Sequence, residues 1–206
     1  LGGHHGAKDL ARKISKLTGG QAAISTAGDA MLGVSLDEVQ EGYVLATPAL
    51  VKTATAKLLA GEHLNALEGE ASWLAPLIAD DGTIAVSVTI HPPAEDVLTY
   101  HPLVLSVGIG CERGTSREDV ETLIEATFAE HNLARDCVAC FASIDLKENE
   151  DAITALGDVR FFTTSELNAQ SSRIKRPSEI VRAEVGTPSV AEAAALAAAG
   201  PDAELI

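Results

Sequence analysis

LVLSVGIGCERGTSREDV, Leu103–Val120, decides the fold of this 206-residue chain. Its opening LVLSVGI is a continuous apolar run, the pattern of a strand covered on both faces by helices. A glycine turn, GIGCERGTS from Gly108 to Ser116, leads into a helix over Ser116–Asn132 with Val120, Leu123, Ile124 and Phe128 along one side. A capping box starts that helix, either Thr115 with Glu118 or Ser116 with Asp119. The alternation continues downstream. VACFASI reads as a second strand, Glu148–Leu156 as a second helix, and VRFFTT as a third strand leading into SELNAQ. A last helix is announced by Thr187-Pro188 and ended by Gly200-Pro201. Strands alternating with helices imply an α/β architecture with a mostly parallel sheet flanked by helices.

The first half is less regular. Gly2 to Gly6 form a turn, Leu10, Ile14 and Leu17 mark one face of a helix, Gly19-Gly20 stops it, and AAIST follows as a short strand. That is half of a βαβ unit. Further on, Thr47-Pro48 precedes ALVKTATAKLLAG, with Thr47 as N-cap, Pro48 at the first helical position and Gly61 at the end. TIAVSVTI has the period-2 pattern of a strand, and the prolines of HPPAED and YHP mark a linker. The expectation is two small domains, residues 1–100 and residues 101–206, the second carrying the parallel sheet.

Composition narrows the function. Hydrophobic residues at 46% and charged residues at 22% describe a globular chain. Aromatics at 3% leave few rings to stack on bases, and 15 Lys+Arg against 30 Asp+Glu give a net charge of −15 that repels phosphate backbones. No nucleic-acid partner is expected, and an anionic ligand needs a local basic pocket. Cys111, Cys137 and Cys140 are an odd count with one Cys-x-x-Cys, which argues against a disulfide framework and against a four-ligand zinc site. No metal site is expected, and a reducing cytoplasm is the simplest location. No run approaches the roughly 18 apolar residues of a membrane span, and no signal peptide is seen, so no membrane partner is expected. Leu1 is not an initiator Met and the first motif begins at once, so the sequence reads as part of a longer protein.

Three stretches carry candidate chemistry. In GGHHG, the glycines Gly2 and Gly3 precede a helix N-terminus, where backbone N–H groups favour an anion and keep an imidazole neutral and proton-accepting. His4 or His5 would suit a general base there; the alternative is a turn histidine with a structural role. GIGCERGTS lies at the carboxyl end of a strand, where open α/β sheets bind ligands. Its spacing fits neither a dinucleotide fingerprint nor a P-loop, since Gly114 is followed by Thr115. Gly108, Gly110 and Gly114 allow close backbone approach, Arg113 could grip a carboxylate, and Thr115 and Ser116 add hydroxyls. Equally, the glycines could only tighten the turn, with Arg113 solvated and Cys111 packed, or else Cys111 could be activated by the helix N-terminus. SSRIKRPSEI is the one basic cluster in an acidic chain. Arg173, Lys175 and Arg176 precede Pro177 on an exposed loop that could meet acid groups, or could be a solvated face.

Together, LGGHHGAKDLARKI, VGIGCERGTSREDV, and PSEIV followed by SVAEAAALAAAG resemble the cobalamin-biosynthesis proteins of the CbiG type, the cobalt-precorrin-5A hydrolases, whose C-terminal domain also occurs alone as the CobE-like protein. The resemblance implies hydrolytic opening of a δ-lactone on the cobalt-precorrin-5A macrocycle, with release of acetaldehyde. It implies a cobalt-precorrin or precorrin tetrapyrrole as substrate, other cobalamin-biosynthesis enzymes as partners, and no cofactor, because the substrate carries the cobalt. Such a ring bears many carboxylate arms, which makes Arg113, the Arg173–Arg176 loop, and Ser178 and Glu179 of the PSEIV motif candidate substrate holders. His4 or His5 would activate the water, and N–H groups of either glycine turn would meet the oxyanion. The chain departs from the family pattern in having nothing upstream of GGHHG, no strand after the last helix, and Lys8 where Asn is common. The rival reading is a non-catalytic module that binds or transfers a corrin intermediate, as the CobE-like likeness implies; GGHHG, which that stand-alone domain lacks, separates the two. A segment of a fused cobalamin enzyme is a further alternative.

Overall fold

The computed structural model describes residues 13, 14, 16–19 and 31–206. Leu10, the AAIST strand and the GGHHG turn lie outside them. The strands in chain order are β1 (Tyr43–Leu45), β2 (Leu64–Glu68), β3 (Ile84–Val88), β4 (Leu98–Pro102), β5 (Leu105–Gly108), β6 (Val138–Ile144) and β7 (Val159–Phe162). The helices are α1 (Val51–Leu59), α2 (Arg117–Glu130), α3 (Asp151–Thr154), α4 (Thr164–Asn168), α5 (Glu179–Val185) and α6 (Ala191–Ala199). The chain forms two compact units interleaved in sequence, the first including Thr47–Val88 and Ala94–Thr99, the second Glu41–Ala46, Thr89–Pro93 and Tyr100–Ile206.

In the first unit β2 and β3 pair in parallel, Leu64 opposite Ile84 and Ala66 opposite Val86. Leu64, Ile84 and Val86 are buried, as are Ala54 and Leu58 of α1. Gly61, at φ +94°, ends α1 as expected. Thr47 does not cap it. Its hydroxyl donates to the Val97 carbonyl at 3.1 Å and accepts the Thr99 N–H at 2.8 Å, so a pairing about fifty residues away outcompetes the local one. A 3-10 turn, Pro48–Leu50, takes up the first helical residues.

The second unit holds a parallel sheet in the order β5-β6-β7 and the antiparallel pair β1 and β4, with Val44 opposite His101. YHP, expected in a linker, is therefore the end of a strand. The β6 residues from Cys140 to Ile144 are all buried, because helices cover both sheet faces. Phe141 packs with Val120, Ile124 and Phe128 of α2 and Ile153 of α3. Ala142 and Ile144, one register step away, pack with Leu167 of α4 and with Ala193 and Ala194 of α6. Each large apolar side chain so buried contributes about 1.5–3 kcal/mol. Leu123, expected on the buried side of α2, is 64% exposed.

Three other expectations need correction. The helix expected over Glu148–Leu156 contracts to α3, because the Glu148 and Glu150 N–H groups bond back to the Asp145 and Lys147 carbonyls in turns, and the left-handed Gly157 follows closely after it. The basic stretch is an exposed loop only in part: Lys175 and Arg176 are exposed between elements, but a 3-10 turn occupies Ser171–Arg173, and α5 begins at Glu179 under a Ser178 cap. The last helix starts at Ala191, where Ser189 Oγ accepts the Glu192 N–H at 3.3 Å.

Candidate functional site

The strands of the parallel sheet run the same way, so the segments following β5, β6 and β7 lie at one edge, the edge where open α/β sheets bind ligands. After β5 comes the glycine turn. Its glycines do different work. A Cβ on Gly108 would collide with the backbone carbonyl of Ala191, so this residue is the contact that lets α6 lie against the strand. Gly110 faces Val190 at the same helix end, where an added Cβ would stand 3.3 Å from the Val190 Cβ, so that side chain would have to give by a few tenths of an ångström. Gly114 sits at φ +77°, and its N–H donates to Glu150 Oε2 at 3.1 Å. Thr115 Oγ1 donates to the Glu112 carbonyl at 2.9 Å. Ser116 caps α2, accepting the Asp119 N–H at 3.1 Å and donating to Asp119 Oδ2 at 2.7 Å, which is the second of the two capping alternatives. Arg113 is exposed, and Cys111 is half-buried against the α2 core.

Glu150 joins this turn to the segment after β6. While Oε2 takes the Gly114 N–H, Oε1 accepts from Lys147 Nζ at 3.3 Å, and the two side chains are only 16% and 14% exposed. The Gly114 N–H, then the Lys147 ammonium and the Arg113 charge, hold the Glu150 carboxyl below its ordinary value against the opposing effect of desolvation. After β7, Glu166 closes a capping box on α4, its Oε2 accepting the Thr163 hydroxyl at 2.7 Å and the Thr163 N–H at 2.8 Å. Those two bonds, the hydroxyl first, lower its pKa as well.

The basic stretch is engaged elsewhere. Arg173 Nη1 donates to Gln170 Oε1 at 3.0 Å and to the Gly200 carbonyl at 3.2 Å, and Nη2 donates to the Ala203 carbonyl. Lys175 Nζ donates to the Leu205 carbonyl, and the Lys175 and Arg176 N–H groups share Glu192 Oε2 at 2.6 and 3.1 Å. Ser178 Oγ accepts the Val181 N–H at 3.3 Å, and Glu179 pairs loosely with Arg182 at 3.5 Å on the surface. Arg173 borders an open cleft of about 370 Å³ lined also by Gln170, Leu196, Ala197, Gly200 and Pro201. The Arg173 guanidinium thus binds at the C-terminal end of α6, whereas Gly108 and Gly110 meet its N-terminal end. A nine-residue helix puts those ends about 13 Å apart. Gly2, Gly3, His4 and His5 lie outside the described residues.

Sequence reasoning passed over Lys147 and Glu150. The signal was present in DLKENED, a charged run immediately after the second parallel strand. Two other groups prove structural. His101, 1% exposed, gives its Nδ1 hydrogen to the Thr89 carbonyl at 2.8 Å. Cys137 donates to the same carbonyl, and burial, with Asp136 adding to it, pushes its thiol up to about 11. All three cysteines are free, and among the described residues no group of three His, Cys, Asp or Glu could hold a metal. No helix among those residues is long and apolar enough to cross a membrane.

A helix-flanked parallel sheet with charged turns at its carboxyl edge defines an α/β protein. Residues 105–206, which hold all of that architecture, match the family described as Cobalamin synthesis G C-terminus, and the chain belongs to that family. It is 40% identical over 107 residues to Protein CobE of Sinorhizobium sp, covering 50% of this chain and 70% of that protein. It is 28% identical over 235 residues to a cobalt-precorrin-5A hydrolase of Priestia megaterium, covering 98% of this chain but 62% of that protein's length. The crystal structure of CobE, a protein from the cobalamin biosynthetic pathway, matches at 38% identity with a TM-score of 0.44, covering 46% of this chain and 70% of the other.

Proposed function

We propose that this chain serves cobalamin biosynthesis as a cobalt-precorrin-5A hydrolase, opening the δ-lactone of the macrocycle and releasing the extruded carbon with its methyl group as acetaldehyde. The observation that carries this reading is the extent of the similarity: it runs over 98% of the chain for the hydrolase and over 50% for CobE. The similarity to the hydrolase extends through nearly the whole chain and that to CobE through half of it, which favours the hydrolase reading.

In this reading His4 or His5 takes the proton of the attacking water, and glycine-turn N–H groups stabilise the tetrahedral oxyanion. Arg113, exposed beside the carboxyl edge, holds a carboxylate arm of the ring. Arg173 and Lys175, tied to backbone carbonyls, support the segment after α6, and Lys175 and Arg176 are the exposed cations of that stretch. The protein needs no cofactor, since the cobalt arrives on the substrate, and the product passes to other enzymes of the pathway. The 40% identity to CobE favours a second reading, a module that binds or transfers a corrin intermediate without chemistry.

The test is acetaldehyde release from cobalt-precorrin-5A by the purified chain, compared with His4→Ala and His5→Ala. The proposal expects release by the wild type and a loss of at least about 100-fold in one variant. Binding without release supports the transfer module instead, and equal rates in both variants remove the histidine assignment.

A further inference from the structure

We infer that Glu150 occupies a carboxylate seat built from the Gly114 N–H and the Lys147 ammonium, and that a carboxylate arm of an acidic tetrapyrrole exchanges with it. The tetrapyrrole's identity rests on the cobalamin reading above; the seat itself rests on geometry. Two adjacent turns at the carboxyl edge each aim a donor at one carboxylate group, the Gly114 N–H from one and Lys147 Nζ from the other. Both donors are satisfied by any carboxylate of the same shape, whether it belongs to the chain or to a ligand.

Several charged groups of this unit are engaged elsewhere. Asp119 is engaged with Ser116 at the start of α2, and Glu166 with Thr163 at the start of α4. Arg173 and Lys175, far along α6, hold backbone carbonyls. Lys147 Nζ meets the Glu150 carboxylate directly, and the Arg113 charge acts on it as well, in a chain whose net charge of −15 makes cations scarce. Gly114 is the residue type the seat requires, because its left-handed backbone directs the N–H at Glu150. Exchange breaks one backbone hydrogen bond and one ion pair, and the incoming carboxylate restores both. Glu150 is thus a competitor for the ligand, and sets a threshold that a lone weak carboxylate does not pass but a ring with many arms does.

The test is calorimetric titration of the whole chain with uroporphyrin III, an octacarboxylate tetrapyrrole, at low salt. Glu150→Gln keeps an acceptor for Gly114 but loses the charge that competes, so it should bind at least about 5-fold more tightly than the wild type. Lys147→Gln, which removes the seat's ammonium, should bind at least about 5-fold more weakly, and equal binding by it overturns the inference as well. Equal or weaker binding by Glu150→Gln, or no binding by any variant, overturns the inference. Acetaldehyde release with unchanged affinities would keep the hydrolase and discard the seat; shifted affinities without acetaldehyde would keep the seat and discard the hydrolase.

Discussion

Gly108 of β5 lies directly under the carbonyl oxygen of Ala191, with no space between them for a methyl group. Gly108→Ala must therefore push α6 off the sheet, at a cost of about 3 kcal/mol, at the upper end for overpacking. Gly110→Ala, two residues on, meets only the edge of Val190 and should cost less than about 1 kcal/mol. Urea unfolding of the two variants checks the contrast. Equal midpoints would mean that the helix does not rest on this strand.

Glu150 gives a pH signature. Its carboxyl is lowered in the folded chain, so the ionised form stabilises the fold above the unfolded carboxyl's value, about 4.3, and that contribution fades as pH falls through the lower folded value. The stability gap between wild type and Glu150→Gln should be widest near neutrality and close below about pH 4. Thermal unfolding across pH 3–8 measures it, and a gap independent of pH would mean that the charge of Glu150 contributes nothing.

Arg135 bridges Glu121 at 2.7 Å and Glu125 at 2.6 Å on α2, and its guanidinium stands 5.8 Å from the Phe141 ring. Its side chain is 33% exposed, so solvent screens the pairs, and Arg135→Ala should cost about 1 kcal/mol. Arg135→Lys should recover less than half of that, because an ammonium cannot present a planar fork to two carboxylates and a ring together. Denaturant midpoints in low and high salt separate the ionic part from the stacking part, and full recovery by Lys would remove the geometric argument.

Thiol reactivity should rank the cysteines by burial. Cys137 and Cys140 are 0% and 2% exposed, and Cys137 with a pKa of about 11 is roughly one part in a thousand thiolate at pH 8. Ellman's reagent should modify Cys111 alone in the folded chain and all three thiols in urea. Rapid reaction of a second thiol without denaturant would contradict the packing around β6.

The α/β alternation was legible because it is written in local periodicity. β5, β6, β7 and the buried stripe Val120, Ile124, Phe128 follow from runs of apolar residues whose spacing matches one element each. What stayed hidden depends on residues distant in sequence. Thr47 looked like a cap and instead bonds to Val97 and Thr99. Gly108 looked like a ligand turn and is required by a helix more than eighty residues later. SSRIKRPSEI looked like an open basic loop, but the oxygens that occupy Arg173 and Lys175 lie beyond α6, where no spacing rule points. Glu150 could have been suspected from DLKENED, though only the fold shows which of its charges meets Gly114.

Helix α6 sets a narrow rule for how this sequence can change. The residues it presses into the sheet are alanines, Ala193 and Ala194 with no exposed surface, and the strand opposite contributes a glycine. Alanine can shrink only to glycine, which loosens the helix, and any larger side chain wedges the layers apart. Drift along this seam is therefore blocked in both directions, while positions such as Leu123, on the outer face of α2, are free to vary. In a library of random variants the seam should appear as a run of intolerant small residues, carrying no chemistry yet as constrained as a catalytic centre.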